Sequence, residues 1–177
     1  MTPTVFLIPG LYNSGPEHWQ RHWQRERGFR VVEQRDWETP VRSDWVARIE
    51  EEVSGSDGPI VLAGHSLACT TLAWWSGVTR HAERVRGALL VAPSDVEAPT
   101  YPPGTTGFAP LPRARLRFPS RVVYSSDDPY VTPARALDFA RDWGSEVTRI
   151  DGAGHINTGS GFGPWPDGLS LLAPWLV

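Results

Sequence analysis

No lysine occurs in this chain of 177 residues; all seventeen basic residues are arginine. That absence excludes a Schiff base to pyridoxal phosphate, a phosphate-loop lysine and a lysine general base. Cysteine is nearly absent as well. Cys69 stands alone, so no intrachain disulfide, paired-cysteine metal site or dithiol redox motif can form. No apolar run approaches the roughly 20 residues that cross a bilayer, and no membrane association is expected. A net charge of −3 and a pI near 5.9 leave no electrostatic footprint for nucleic acid. The densest basic stretch, Arg113 to Arg117, is short and reads as a solvated loop. The first ten residues, MTPTVFLIPG, lack the cationic segment, long apolar stretch and cleavage site of a secretory signal. A cytoplasmic protein is therefore expected.

What is present is alternation. Short apolar runs at Thr4–Gly10, Phe29–Gln34, Pro59–His65, Val85–Pro93, Arg121–Ser126 and Glu146–Asp151 read as strands. Between them lie amphipathic segments. One runs from Pro16, placed in a first helical turn, to a stop at Gly28. Another begins at a Ser43 or Asp44 cap and carries Trp45, Ile49 and Val53 at four-residue spacing. A third follows Ser66, and Pro133–Gly144 is bounded by proline and glycine. A short final helix is expected between Trp165 and Val177. Strand–helix alternation predicts an α/β fold: one domain over residues 1–177, with a doubly wound, mostly parallel sheet of about six strands flanked by helices. The long proline-rich segment Ser94–Pro119 leaves the carboxyl end of the fourth strand, where open parallel sheets place their ligands.

The chemistry concentrates in three places. Gly64-His65-Ser66-Leu67-Ala68 matches the nucleophile-elbow pattern except for alanine at its last position. The pattern needs small residues two before and two after the serine, so that strand and helix can pass closely. A serine hydroxyl needs a base, and the base needs a group that fixes its tautomer. His155, in a glycine-flanked loop after the sixth strand, supplies the base. Asp128, just beyond the fifth strand, is the preferred acid; Asp127 is the fallback and Asp95 a third candidate. The order Ser66, Asp128, His155 is that of α/β-hydrolase triads. Oxyanion donors are expected from the N–H of Leu67 and of Leu11 or Tyr12, with Gly10 letting the backbone approach. Trp19, Phe108, Phe162 and Trp165 flank the relevant loops and are expected to line an apolar substrate pocket.

The remaining histidines and the glycine-rich stretch receive plainer readings. His65 is expected to point away from the reactive side in a structural role. His18 and His22 stand one helical turn apart, but no intervening glutamate or cysteine completes a metal site. His18 reads as a supporting hydrogen-bond partner and His22 as a surface residue. Gly159–Gly163 follows no strand and opens no helix, so it reads as a loop rather than a dinucleotide site. No metal or organic cofactor is expected.

Taken together, FLIPGLYNSGPEHWQRHWQ, LAGHSLACTTLAWW, GFAPLPRARLRFPSRVVYSSDDPYV and GAGHINTGSGFGPWPDG resemble the small serine hydrolases of the YdeN and retinoblastoma-binding-protein-nine-like family, over nearly the whole chain. The resemblance implies an α/β-hydrolase core without a large lid domain and a triad of Ser66, Asp128 and His155. It departs at Ala68, where many members carry glycine. The expected function is carboxylesterase-like cleavage of small acyl esters or amides, with aminoacyl compounds also represented in the family. The rival expectation is a hydrolase fold retained as a protein-binding module with little or no turnover.

Overall fold

The computed structural model describes residues 1–177. Its sheet has six strands in the order β2-β1-β3-β4-β5-β6, every neighbouring pair parallel. The strands are β1 (Thr4–Ile8), β2 (Arg30–Val31), β3 (Ile60–His65), β4 (Val85–Val91), β5 (Ser120–Ser125) and β6 (Glu146–Ile150). The helices are α1 (Trp19–Arg27), α2 (Arg42–Ser54), α3 (Leu67–Val78), α4 (Pro133–Trp143) and α5 (Pro166–Leu172). This is an α/β-hydrolase core, and no lid domain covers the carboxyl edge of the sheet.

Both faces of a parallel sheet are covered, so its strands read as continuous apolar runs. Successive side chains nonetheless divide between two layers. Phe6, Leu62, Leu90 and Val122 enter one with Ile49 and Val53 of α2, Leu72 of α3 and Phe139 of α4. Leu7, Val61, Leu89 and Val123 enter the other with Trp19 and Trp23 of α1 and Leu172 of α5. The chain moves outward from β1 to β2, then returns past β1 to lay down β3. The resulting switch point lies between β1 and β3, where open α/β sheets form a crevice.

Several element ends differ from the sequence reading. Helix α1 begins at Trp19 with His18 as its cap, the imidazole Nδ1 accepting from the Gln20 N–H at 3.2 Å; Pro16 lies outside. Helix α2 begins at Arg42 after Val41, which supplies no side-chain cap, so Ser43 and Asp44 fall within its first turn. The expected strand Phe29–Gln34 shrinks to two residues at the sheet edge, where only β1 offers a partner. Helix α4 keeps its expected punctuation, with Thr132 as cap, Pro133 first and Gly144 left-handed at φ 69°.

No helix accompanies the β4-to-β5 crossover. The proline-rich segment takes its place, inserting Leu111, Leu116 and Phe118 into the larger layer and Phe108 against Trp45 and Leu67. An irregular segment thus forms part of the core.

These layers predict a contrast between two leucines. Leu62→Ala empties a site with no exposure in the central strand and should cost about 2–5 kcal/mol. Leu137→Ala, on the exposed face of α4 at 43% accessibility, should stay within roughly 0.5 kcal/mol. Equilibrium urea unfolding measures both, and equal costs would contradict the layer assignment.

Candidate active site

Three strands of the parallel sheet deliver chemistry to its carboxyl edge: β3 leads to Ser66, β5 to Asp128 and β6 to His155. Ser66 adopts φ 60° and ψ −120°, a left-handed backbone that a non-glycine residue takes only when its surroundings impose it. The surroundings are tight. A Cβ added at Gly10 would lie 2.7 Å from the His65 carbonyl oxygen, 2.9 Å from Ser66 Cβ and 3.3 Å from Leu67 N. One added at Gly64 would lie 2.9 Å from Leu72 Cδ1 and 3.4 Å from Ala68 Cβ. The clash at Gly64 is therefore with Leu72, and the Ala68 methyl stands at ordinary contact distance. The turn is tied to β4 by the Ser66 N–H, which donates to Val91 O at 2.9 Å.

His155 Nε2 lies 2.9 Å from Ser66 Oγ, and its Nδ1 lies 3.0 and 2.9 Å from the two Asp128 carboxylate oxygens. The Asp128 side chain has no solvent exposure; its Oδ1 also accepts from the Tyr130 N–H at 2.9 Å. With the Nδ1 proton donated to this carboxylate, Nε2 is the acceptor for the Ser66 hydroxyl. Ser66 Oγ is then free to accept from Ser94 Oγ, 2.5 Å away. Asp127 does not reach the imidazole. Its carboxylate accepts from Ser125 Oγ and the Gly154 N–H, at 2.7 and 2.8 Å, which hold it below the usual carboxylate range. It anchors the loop that carries His155. Asp95 is paired with Arg135 at 2.8 Å, on the far side of the same edge.

Among the amides flanking the elbow, those of Leu67 and Leu11 have no acceptor within the chain. The Tyr12 N–H is engaged by Trp37 O at 2.9 Å, which removes Tyr12 as a backbone donor. A cavity of about 260 Å³ opens over Ser66 and His155. Trp19, Phe108, Phe162 and Trp165 do not line it. Trp19 and Trp165 pack in the smaller layer behind the His155 loop, Trp19 Nε1 donating to Ile156 O at 3.0 Å. Phe162 lies edge-on to Trp165, and Phe108 is buried beside Trp45. Nearness to the loops in sequence did not specify which side of them the rings would take. The aromatic wall is built from Tyr12, Tyr101 and Tyr130 instead.

His65 also departs from expectation. It faces the cavity, its Nε2–H donates to the His155 carbonyl at 2.8 Å, and its ring centroid is 4.8 Å from that of His155. His18 packs on the other side of His65, again at 4.8 Å. Burial lowers His18 to about 3 and holds His65 well below its ordinary value, with the charge on His155 acting in the same direction. His22 instead sits between Glu17 and Glu26 at the surface. No three His, Cys, Asp or Glu side chains cluster to hold a metal ion.

Two supporting residues were not singled out in the sequence, and neither was the donor role of His65. They are Ser94 and Gln20, whose Nε2 donates to Ile8 O and Ala63 O at 2.9 and 3.1 Å. Gln20 thereby joins α1 to the ends of β1 and β3. The available signal was a glutamine on the tryptophan-bearing stripe of α1.

Comparison with known proteins agrees with this architecture. Residues 5–174 match the model of the serine hydrolase family. A YdeN-like hydrolase from Pectobacterium atrosepticum is 32% identical, with a TM-score of 0.85 over 98% of this chain and 90% of that one. The ydeN gene product of Bacillus subtilis shares the fold at 19% identity, with a TM-score of 0.79 over 98% of each chain. No curated protein matches the sequence.

The buried imidazoles predict a pH dependence of stability. His18 and His65 bind protons more weakly folded than unfolded, so the unfolded state holds more protons below its histidine value near 6.5. Their contribution is complete above that value and is lost as pH falls from about 6.5 toward 3. Urea midpoints should drop across this window, and less steeply in His18→Gln. Identical slopes in both proteins would contradict a neutral, buried His18.

Proposed function

The chain belongs to the serine hydrolase family, and on that premise we propose that it cleaves small acyl esters or amides through an acyl-enzyme on Ser66, as carboxylesterases do. The observation that carries this reading is the continuous pair of contacts through His155, 2.9 Å to Ser66 Oγ and 2.9 Å to Asp128 Oδ2.

The chemistry follows from those contacts. Ser66 Oγ forms a bond to the substrate carbonyl carbon as its proton passes to His155 Nε2. Asp128 holds the Nδ1 proton and stabilises the imidazolium. The carbonyl oxygen takes up the negative charge and is met by the N–H groups of Leu67 and Leu11. A preorganised donor of this kind is worth about 3–4 kcal/mol in the transition state. Collapse breaks the bond to the leaving alcohol or amine, which takes its proton from His155 Nε2. Water then gives a proton to Nε2, its oxygen attacks the acyl carbon, and the carboxylic acid leaves as Ser66 recovers its hydrogen. The partner is a small-molecule acyl substrate, and none of these steps draws on a cofactor.

A fluorophosphonate probe should label the wild-type protein and spare Ser66→Ala. On any ester that is turned over, Ser66→Ala should lower kcat by roughly 10⁴- to 10⁶-fold, and Asp128→Asn by about 10⁴-fold. Asp127→Asn keeps an acceptor for Gly154 and should stay within about tenfold of wild type. Labelling that persists in Ser66→Ala would overturn the assignment of the nucleophile.

A further inference from the structure

The cavity above Ser66 is rich in hydrogen-bonding groups and carries no fixed charge. Its lining includes Asn13, Asn157, Thr158 and Ser94, three tyrosines and three imidazoles, and neither an arginine nor a carboxylate is among the lining residues. Two buried carboxylates stand behind the wall and both are engaged: Asp128, with no exposed side-chain surface, by His155 and the Tyr130 N–H, and Asp95 by Arg135 at 2.8 Å. The Arg21 guanidinium is engaged outside the lining, donating to the Asn13 amide oxygen at 2.9 Å and pairing with Glu33 at 3.1 Å.

Burial keeps three of the wall groups uncharged, His18, His65 and Tyr101. His18 has 4% exposure, and its Nδ1 accepts from a backbone N–H. The proton of the neutral ring is therefore on Nε2, which has no partner in the chain. His65 is likewise a neutral donor, to His155 O. Burial also pushes the Tyr101 phenol upward, away from ionisation.

Resting on the hydrolase reading above, we infer that this site selects short acyl groups that are uncharged and oxygenated, and rejects those bearing an ammonium or carboxylate beside the reacting carbonyl. Size and charge both support this. About 260 Å³ is below the roughly 300–1,000 Å³ of drug-sized pockets, so the acyl chain is short. A group on the carbon next to the carbonyl must enter with the reacting atoms. An α-ammonium there would leave water for a wall that offers no counter-charge, which disfavours it strongly. A hydroxyl at the same position would find donors and acceptors. Hydroxyacyl esters fit; aminoacyl esters and peptide N-termini do not.

The test uses three methyl esters of nearly equal size, the propionate, lactate and alaninate. They are compared with the whole protein at pH 6.5, where an α-amino group of ordinary value about 7.7–8.0 is charged. Each kcat/KM is divided by the base-catalysed rate of the same ester, which removes intrinsic reactivity. The expected order is lactate at or above propionate, with alaninate at least tenfold below both. Asn157→Asp adds a carboxylate to the wall while keeping an oxygen for the Ser160 N–H and hydroxyl that Asn157 Oδ1 now accepts. It should raise the alaninate-to-lactate ratio at least tenfold, and the ratio cancels any common effect on His155.

Alaninate turnover equal to that of the neutral esters, or an unchanged ratio in Asn157→Asp, would overturn the inference. So would fluorophosphonate labelling of Ser66 without turnover of any of the three, which leaves the hydrolase reading standing. Absence of both labelling and turnover would overturn the two together.

Discussion

The close crossing of β1, β3 and α3 is the constraint on which the site depends. Ser66 holds a backbone conformation that its side chain disfavours, and nothing local to Ser66 relieves that cost. What imposes it is packing. Gly10, just past β1, presses on the turn, Gly64 lets Leu72 close in from the helix, and the Ser66 N–H is tied to β4. Strain persists only where the surroundings over-determine it. Here two glycines and a buried sheet provide that over-determination, and the hydroxyl is held out toward the cavity as a result. The same approach sets Gly10 beside the amide that follows the turn, a Cβ added there lying 3.3 Å from Leu67 N.

Around this point the electrostatics are arranged by burial more than by ion pairs. His155 lies among a carboxylate, two neutral imidazoles and a tyrosine ring, whose centroid is 4.6 Å from its own. Only the carboxylate carries charge. Were His65 or His18 protonated, a second cation would stand beside the imidazole that becomes cationic in the proposed mechanism. Desolvation prevents this, and it leaves the two outer rings as donors of fixed tautomer. The loop carrying His155 is then fastened at successive points by Asp127 to Gly154 N, His65 to His155 O and Trp19 to Ile156 O. Ile156 itself has φ 48°, a second strained residue in a segment without regular structure.

Much of this was legible in the sequence because residue type and position along the chain were sufficient signals. A parallel sheet sends its strand ends to one edge, so Ser66, Asp128 and His155 needed only to follow their strands in order. The ends of α4 were legible because proline and glycine act through their own backbone preferences. The start of α1 was not, since histidine is an uncommon cap and its role depended on a ring nitrogen meeting Gln20 N. The pocket was misread for a related reason. Helical and strand periods say that an aromatic ring is buried, but not in which layer, and four rings near the loops went into core clusters. Ser94 and His65 acquire their roles from partners 28 and 90 residues away, which no local pattern records.

The adjacent aspartates show how one residue of offset divides structural from chemical work. Past the end of β5 the chain turns, and neighbouring side chains leave it in different directions. Asp127 remains at the surface, where its oxygen meets Gly154 N. Asp128 turns inward to a site without solvent, where the only available proton donors are His155 Nδ1 and the Tyr130 N–H. Exchanging their roles would require the turn to rotate, losing the Tyr130 contact and exposing the carboxylate. The two acids are alike in chemistry and opposite in environment. Burial therefore selects Asp128 as the partner of the imidazole, and leaves Asp127 to hold the loop on which that imidazole stands.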